Sequence, residues 1–131
     1  MRVFKIWTRL SLVHYKIWWL EDNKKLTKQA RDLILDADVV YVSMISLWEI
    51  AIKTRLSKLK LDAKKMIEEI EPIGFRELSL ANEHILQLAN LPLHHHDPFD
   101  RMLIAQAMSE PLIFLTADKN LRAYSELVII T

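Results

Sequence analysis

The chain contains no cysteine. That excludes a disulfide framework and a thiolate metal site together, so any metal must be held by oxygen or imidazole. Glycine occurs once, at Gly74, which rules out a glycine-rich loop that cradles a phosphate. No apolar run is long enough to span a bilayer. The N-terminal stretch MRVFKIWTRLSLVHYKIWWLEDN starts basic but is interrupted by Lys5, Arg9, His14 and Lys16, a poor core for a secretory signal. The expectation is a cytoplasmic protein without membrane association. A formal net charge of +1 gives no overall pull on nucleic acid, leaving only local patches for that purpose. Acidic residues are also missing from one particular place: none precedes Glu21.

What is present is one domain's worth of chain, residues 1–131, with 51% hydrophobic residues, enough for a proper core. Short apolar runs alternate with helical spacings. Thr27 to Ala37 puts Ala30, Leu33 and Ile34 on one side of a helix. Val39 to Val42 reads as a β-branched strand. Ser43 caps a long helix, SMISLWEIAIKTRLSKLKL, whose face Ile45, Trp48, Ile52 and Leu56 reads as core. Asp62 opens another helix carrying Met66, Ile67 and Ile70 and ending at Pro72 and Gly74. Phe75 to Leu80 alternates like an edge strand. Ala81 to Leu91 is helical through Ile85, Leu88 and Ala89. A capped helix follows, then the strand Leu112 to Leu115, a one-turn helix, and a last strand over Leu127 to Ile130. Strands alternating with helices predict an α/β protein, a three-layer α/β/α fold around a mostly parallel sheet. A strand within Val3 to Val13 is plausible but broken by Arg9 and Ser11, and a short helix or turn carries Trp18 and Trp19.

Three acids adjoin apolar runs, where a carboxylate is costly unless something neutralises it. Asp97 followed by Pro98 reads as N-cap and N1 of a helix. That register puts Asp100 at N3, one turn before Leu103 and Ile104, so Asp100 looks inward and Asp97 outward. A capping-box carboxylate or a partner for Arg101 is the plainer use of Asp100. Asp118 falls at the carboxyl end of a core strand, where open α/β sheets bind ligands; capping the KNLRAY segment is its plainer use. Glu49 lies two turns into the helix after Ser43, with a Glu49–Lys53 pair as the ordinary alternative. His94, His95 and His96 are consecutive, so they cannot all converge on one ion, and a solvated loop is their expected fate. Trp18, Trp19 and Trp48 read as core or interface rather than as platforms for bases.

Four stretches, WWLEDNKKLTKQARDLI, SLWEIAIKTRLSKLKL, FRELSL…HILQLANLPLHHHDPFDRMLIAQA and LIFLTADKNLRAY, together resemble PIN-domain proteins of the VapC-like toxin group. The resemblance runs from about Ile17 to the C-terminus. It implies a Mg²⁺- or Mn²⁺-dependent endoribonuclease, a homodimer, and inhibition by a cognate VapB-like antitoxin. Carried over residue by residue, Glu49 matches the acid of the W-E helix, Asp100 that of D-P-F-D-R and Asp118 that of T-A-D. The resemblance makes these three the catalytic and metal-holding acids. Thr116 matches a hydroxyl beside the metal cluster, Asp97 a structural position, and Arg101 a partner for the site carboxylates or for phosphate.

The divergence is confined to residues 1–17. The family begins with a core strand ending in Asp-Thr-His shortly before Trp-Trp, and counting back from Trp18 and Trp19 puts that Asp at Leu12. The first of four expected acids is thus an aliphatic side chain, and no nearby acid can stand in for it. The expectation is weakened metal binding and low or absent RNA cleavage on a fold that is mostly kept. The alternative is a catalytically inactive PIN-fold protein that binds an antitoxin peptide or RNA. A third class is an unrelated α/β domain whose acids are only caps and ion pairs.

Overall fold

In the computed structural model, residues 9–12, 27–55, 63–94, 96–116 and 118–130 are described. They form a five-stranded sheet in the order β3-β2-β1-β4-β5. Its strands are β1 (Arg9–Leu12), β2 (Val39–Ser43), β3 (Arg76–Leu78), β4 (Ile113–Thr116) and β5 (Val128–Ile130). Every pairing is parallel, so the sheet is parallel throughout rather than mostly so. The helices are α1 (Lys28–Asp36), α2 (Met44–Arg55), α3 (Ala63–Glu69), α4 (Asn82–Ala89) and α5 (Pro98–Ser109), with a 3-10 turn over Lys119–Tyr124.

A parallel sheet needs cover on both faces, and two separate cores provide it. Phe114 joins α5 residues Leu103, Ile104 and Ala107, with Leu121 and Val128, on one face. Its chain neighbour Leu115 joins Val40, Val42, Ala30, Ile34 and Ile70 on the other. Consecutive strand residues point to opposite faces, so Phe114 and Leu115 alone define the three layers that the sequence predicts. The apolar spacing of α1 is realised, with Ala30 and Ile34 buried and Thr27 Oγ1 accepting from the Ala30 amide at 3.1 Å. Gly74 takes φ +91° in the turn between α3 and β3, a conformation that a side chain resists.

Three sequence expectations shift. The edge strand is real but short, Arg76–Leu78. In α4 the buried residue is His84, while Ile85 is 48% exposed. In α2 Ile45 faces the core as expected but the stripe beyond it does not: Trp48 is 59% and Ile52 37% exposed, and the buried positions are Ile45, Ser46, Glu49 and Ile50. Ser43, Ser46 and Glu49, spaced three apart, are buried on the inward side, Ser43 on Gln106, while Trp48 lines a shallow apolar groove against Met66 and Ile67 of α3. The helix around Trp18 and Trp19, and the side chains of Leu12, Lys53, Leu56 and His95, lie outside what is described.

Candidate active site at the carboxyl edge of the sheet

Parallel pairing brings the carboxyl ends of the three inner strands to one edge. Leu12 ends β1, the central strand, level with Val42 on one side and Leu115 on the other. One residue on, β2 ends in Ser43 and β4 in Thr116. Position 12, where the resemblance leads one to expect an acid, therefore sits at the middle of the edge where open α/β sheets bind ligands. The central strand was hard to read because Arg9 and Ser11 interrupt its apolar pattern; its place comes from pairing on both sides.

Each of the three remaining acids reaches this edge by its own route. Asp118 follows β4 by two residues. Its amide donates to Thr116 Oγ1 at 3.1 Å, and its Oδ1 accepts from the Asn120 amide at 2.9 Å. Asp118 thus does cap the 3-10 turn, as the plainer reading expects. Thr116 is itself buried, and among the described residues its hydroxyl proton has no acceptor. Asp100 lies in the first turn of α5, the helix that runs back along the sheet into β4. Asp97 Oδ1 accepts from the Phe99 and Asp100 amides at 2.8 and 3.0 Å, so Asp97 is the structural N-cap and Asp100 is N3, as predicted. Glu49 is 5% exposed on the inward face of α2, the helix that leaves β2 at the same edge.

Two contacts align α2 with α5. The Ser43 hydroxyl donates to Gln106 Oε1. Five residues along α2 and seven back along α5, the Trp48 and Phe99 rings meet edge to face, centroids 5.0 Å apart at 78°. The helices therefore run antiparallel, and the turn carrying Glu49 lies opposite the turn carrying Asp100. Of the two roles expected for Arg101, a site carboxylate or a phosphate as partner, the first is not seen among the described residues. The Arg101 guanidinium donates to the Pro92 and Leu91 carbonyls at 2.9 and 3.4 Å and to the Tyr124 hydroxyl at 3.2 Å, clamping the loop ahead of α5. The His94 amide donates to the same hydroxyl at 3.0 Å, and the His94 ring packs against Tyr124; His94 and His96 are otherwise exposed. Sequence reasoning names Ser43 as a cap, which its bond from the Ile45 amide bears out, but passes over Gln106 and His84, because a lone polar residue inside an apolar helix carries no periodic signal.

As a cation site this set fits only in part. Carboxylate and hydroxyl oxygens suit a hard divalent ion, and the unspent Thr116 proton is a ready donor to a carboxylate beside it. Yet among the described residues no three His, Cys, Asp or Glu side chains are grouped to hold a metal ion. Glu49, Asp100 and Asp118 are thus not drawn together as three ligands of one ion, and residue 12, at the centre of the edge, adds no oxygen because it is leucine.

No curated protein sequence matches the chain. Among solved structures, it is similar to a chain of the crystal structure of VapBC2 from Rickettsia felis bound to a DNA fragment from their promoter. The TM-score is 0.68 and the identity 13%, over 95% of this chain and 98% of that one, a likeness of fold. The family model for the PIN domain matches residues 15–127. That match starts just beyond Leu12 and takes in all three acids, and on it the chain belongs to the PIN domain family.

Proposed function

We propose that the chain is a Mg²⁺- or Mn²⁺-dependent endoribonuclease of the toxin–antitoxin type, hydrolysing RNA phosphodiester bonds at a rate reduced by the leucine at position 12. Glu49, Asp100 and Asp118 are its catalytic and metal-holding acids, with Thr116 beside them and Asp97 and Arg101 supporting their backbone. The observation that carries this reading is the placement of Leu12 at the carboxyl end of the central strand, next to Ser43 and Thr116. A bound divalent ion supplies a low-pKa water and relieves charge on the phosphate. The chain's part is to hold carboxylates where only a cation makes their joint ionisation cheap. A VapB-like antitoxin as partner rests on the fold likeness to the VapBC2 complex; a homodimer and action in the cytoplasm belong to the same reading. Among the described residues no helix is long and apolar enough to cross a membrane. The test is Mn²⁺-dependent cleavage of RNA by the purified chain, abolished by Asp100→Asn.

A second reading is favoured by the lack of a three-ligand group among the described residues. On that reading the fold is a catalytically inactive binder of an antitoxin peptide or RNA. RNA retention in EDTA, together with no cleavage in Mn²⁺ by either wild type or Leu12→Asp, would select it.

A further inference from the structure

Gln106 is fully buried in α5 between Ala105 and Ala107, in a helix whose packing otherwise asks for apolar residues. A buried amide is costly unless its groups are paired, and here the pairing has one direction. His84 Nδ1 accepts from the Ala81 amide at 3.0 Å, closing half of a capping box on α4. The proton of the neutral ring is therefore on Nε2, which donates to Glu110 Oε2 at 2.7 Å. The Gln106 amide nitrogen then donates to the Ser79 carbonyl at 3.5 Å, and lies 3.3 Å from His84 Nδ1, whose lone pair is shared with the Ala81 amide. That orientation leaves Gln106 Oε1 for the Ser43 hydroxyl. Ser43 Oγ in turn accepts from the Ile45 amide at 3.0 Å, so the group anchored by Gln106 is the N-cap of α2.

We propose that Gln106 is the positioning residue of the acid site. Through Ser43 it sets the register of α2 against α5, and with it the placing of Glu49 opposite Asp100. The Trp48–Phe99 contact closes the far end of the same helix pair. An apolar side chain of similar volume fills the space but leaves the Ser43 hydroxyl and the Ser79 carbonyl without their partner, which lowers stability, and it cannot hold the cap of α2. Register is therefore read directly, in chains that still fold, and not from stability. The register stands on these hydrogen bonds alone; its consequence for metal binding rests on the nuclease reading above.

The test uses the full chain labelled with 5-fluorotryptophan. The Trp48 resonance is assigned through Trp48→Phe and reports the ring on Phe99 without metal or RNA. Gln106→Met and Ser43→Ala are each expected to shift or broaden it, and the double variant to do less than the sum of the two, because both lose the same Ser43–Gln106 bond. Ser43→Thr keeps the hydroxyl and is expected to restore it. In a Leu12→Asp background the same variants should weaken Mn²⁺ binding by about tenfold, the usual effect of losing a group that orients ligands. An unmoved Trp48 resonance in a folded Gln106→Met chain overturns the proposal, and an unmoved resonance in Ser43→Ala overturns it equally if Gln106→Met does not fold. A moved resonance with undiminished Mn²⁺ affinity overturns the positioning of the acids. A moved resonance in chains that never bind Mn²⁺, Leu12→Asp included, upholds the register and fells the metal reading instead.

Discussion

Leu12 ends the central strand, paired with Val42 and Leu115 and one residue short of the level of Thr116. On the nuclease reading, an aspartate there would add a negative charge to the edge at which that reading gathers its carboxylates. Without a cation that charge is repelled and partly desolvated, so Leu12→Asp should melt lower than wild type in EDTA. A ligand that binds only the native state stabilises by about 2.7 kcal/mol at a hundred times its dissociation constant. For a domain of this size that corresponds to a rise in Tm on the order of 10 °C. Saturating Mn²⁺ is therefore expected to restore Leu12→Asp to the wild-type Tm or above while moving wild type much less. Equal Mn²⁺ shifts in the two chains, read by differential scanning calorimetry, would remove position 12 from the site.

At the scale of elements, two aspartates do the same local job at different places. Asp97 caps α5 through two amides, and Asp118 caps the 3-10 turn through one. Asparagine is as good an N-cap as aspartate, so substitution separates cap from charge. Asp97→Ala should cost about 1 kcal/mol, measured by urea denaturation, whereas Asp97→Asn should cost little. Asp118→Asn should also leave stability nearly unchanged yet remove Mn²⁺ binding and cleavage; retained Mn²⁺ affinity would mean that Asp118 is a cap and nothing more. The caps were legible in the sequence because the Asp-Pro pair and the residue after a strand have fixed local meanings. The strands LIFL and VVYV were legible because a strand covered on both faces is apolar without alternation. The facing of α2 was not, since Ile45, Trp48 and Ile52 make as good an apolar stripe as the buried one. What turns the helix is a set of tertiary hydrogen bonds ending in Gln106 and His84, and no local pattern announces those. The contacts of Arg101 go unannounced for a similar reason: two of its acceptors, Leu91 and Pro92, are backbone carbonyls, present whatever the sequence.

On the scale of the whole molecule, the parallel sheet is what makes distant residues neighbours. Leu12, Ser43 and Thr116 end three adjacent strands, and the helices bearing Glu49 and Asp100 leave or approach that same edge. None of this needs the metal: the two cores lie on the sheet faces, away from the carboxyl edge, so the fold should survive neutralising the acids. Glu49→Gln, Asp100→Asn and Asp118→Asn are expected to keep the wild-type far-ultraviolet circular dichroism. The nuclease reading and the binder reading then differ in what the intact molecule does to RNA. If the chain is an impaired nuclease, wild type cuts slowly in Mn²⁺, and Leu12→Asp raises the rate by about 100-fold or more, since restoring a ligand should outweigh the effect of an outer-shell group. Asp100→Asn placed on top of Leu12→Asp then returns the rate to background. If it is a binder, labelled RNA is shifted on a native gel equally with EDTA or Mn²⁺, and no variant cuts. Single-turnover cleavage of one labelled RNA by wild type, Leu12→Asp and the double variant distinguishes the two, because only a metal-dependent nuclease makes the three rates differ in that order.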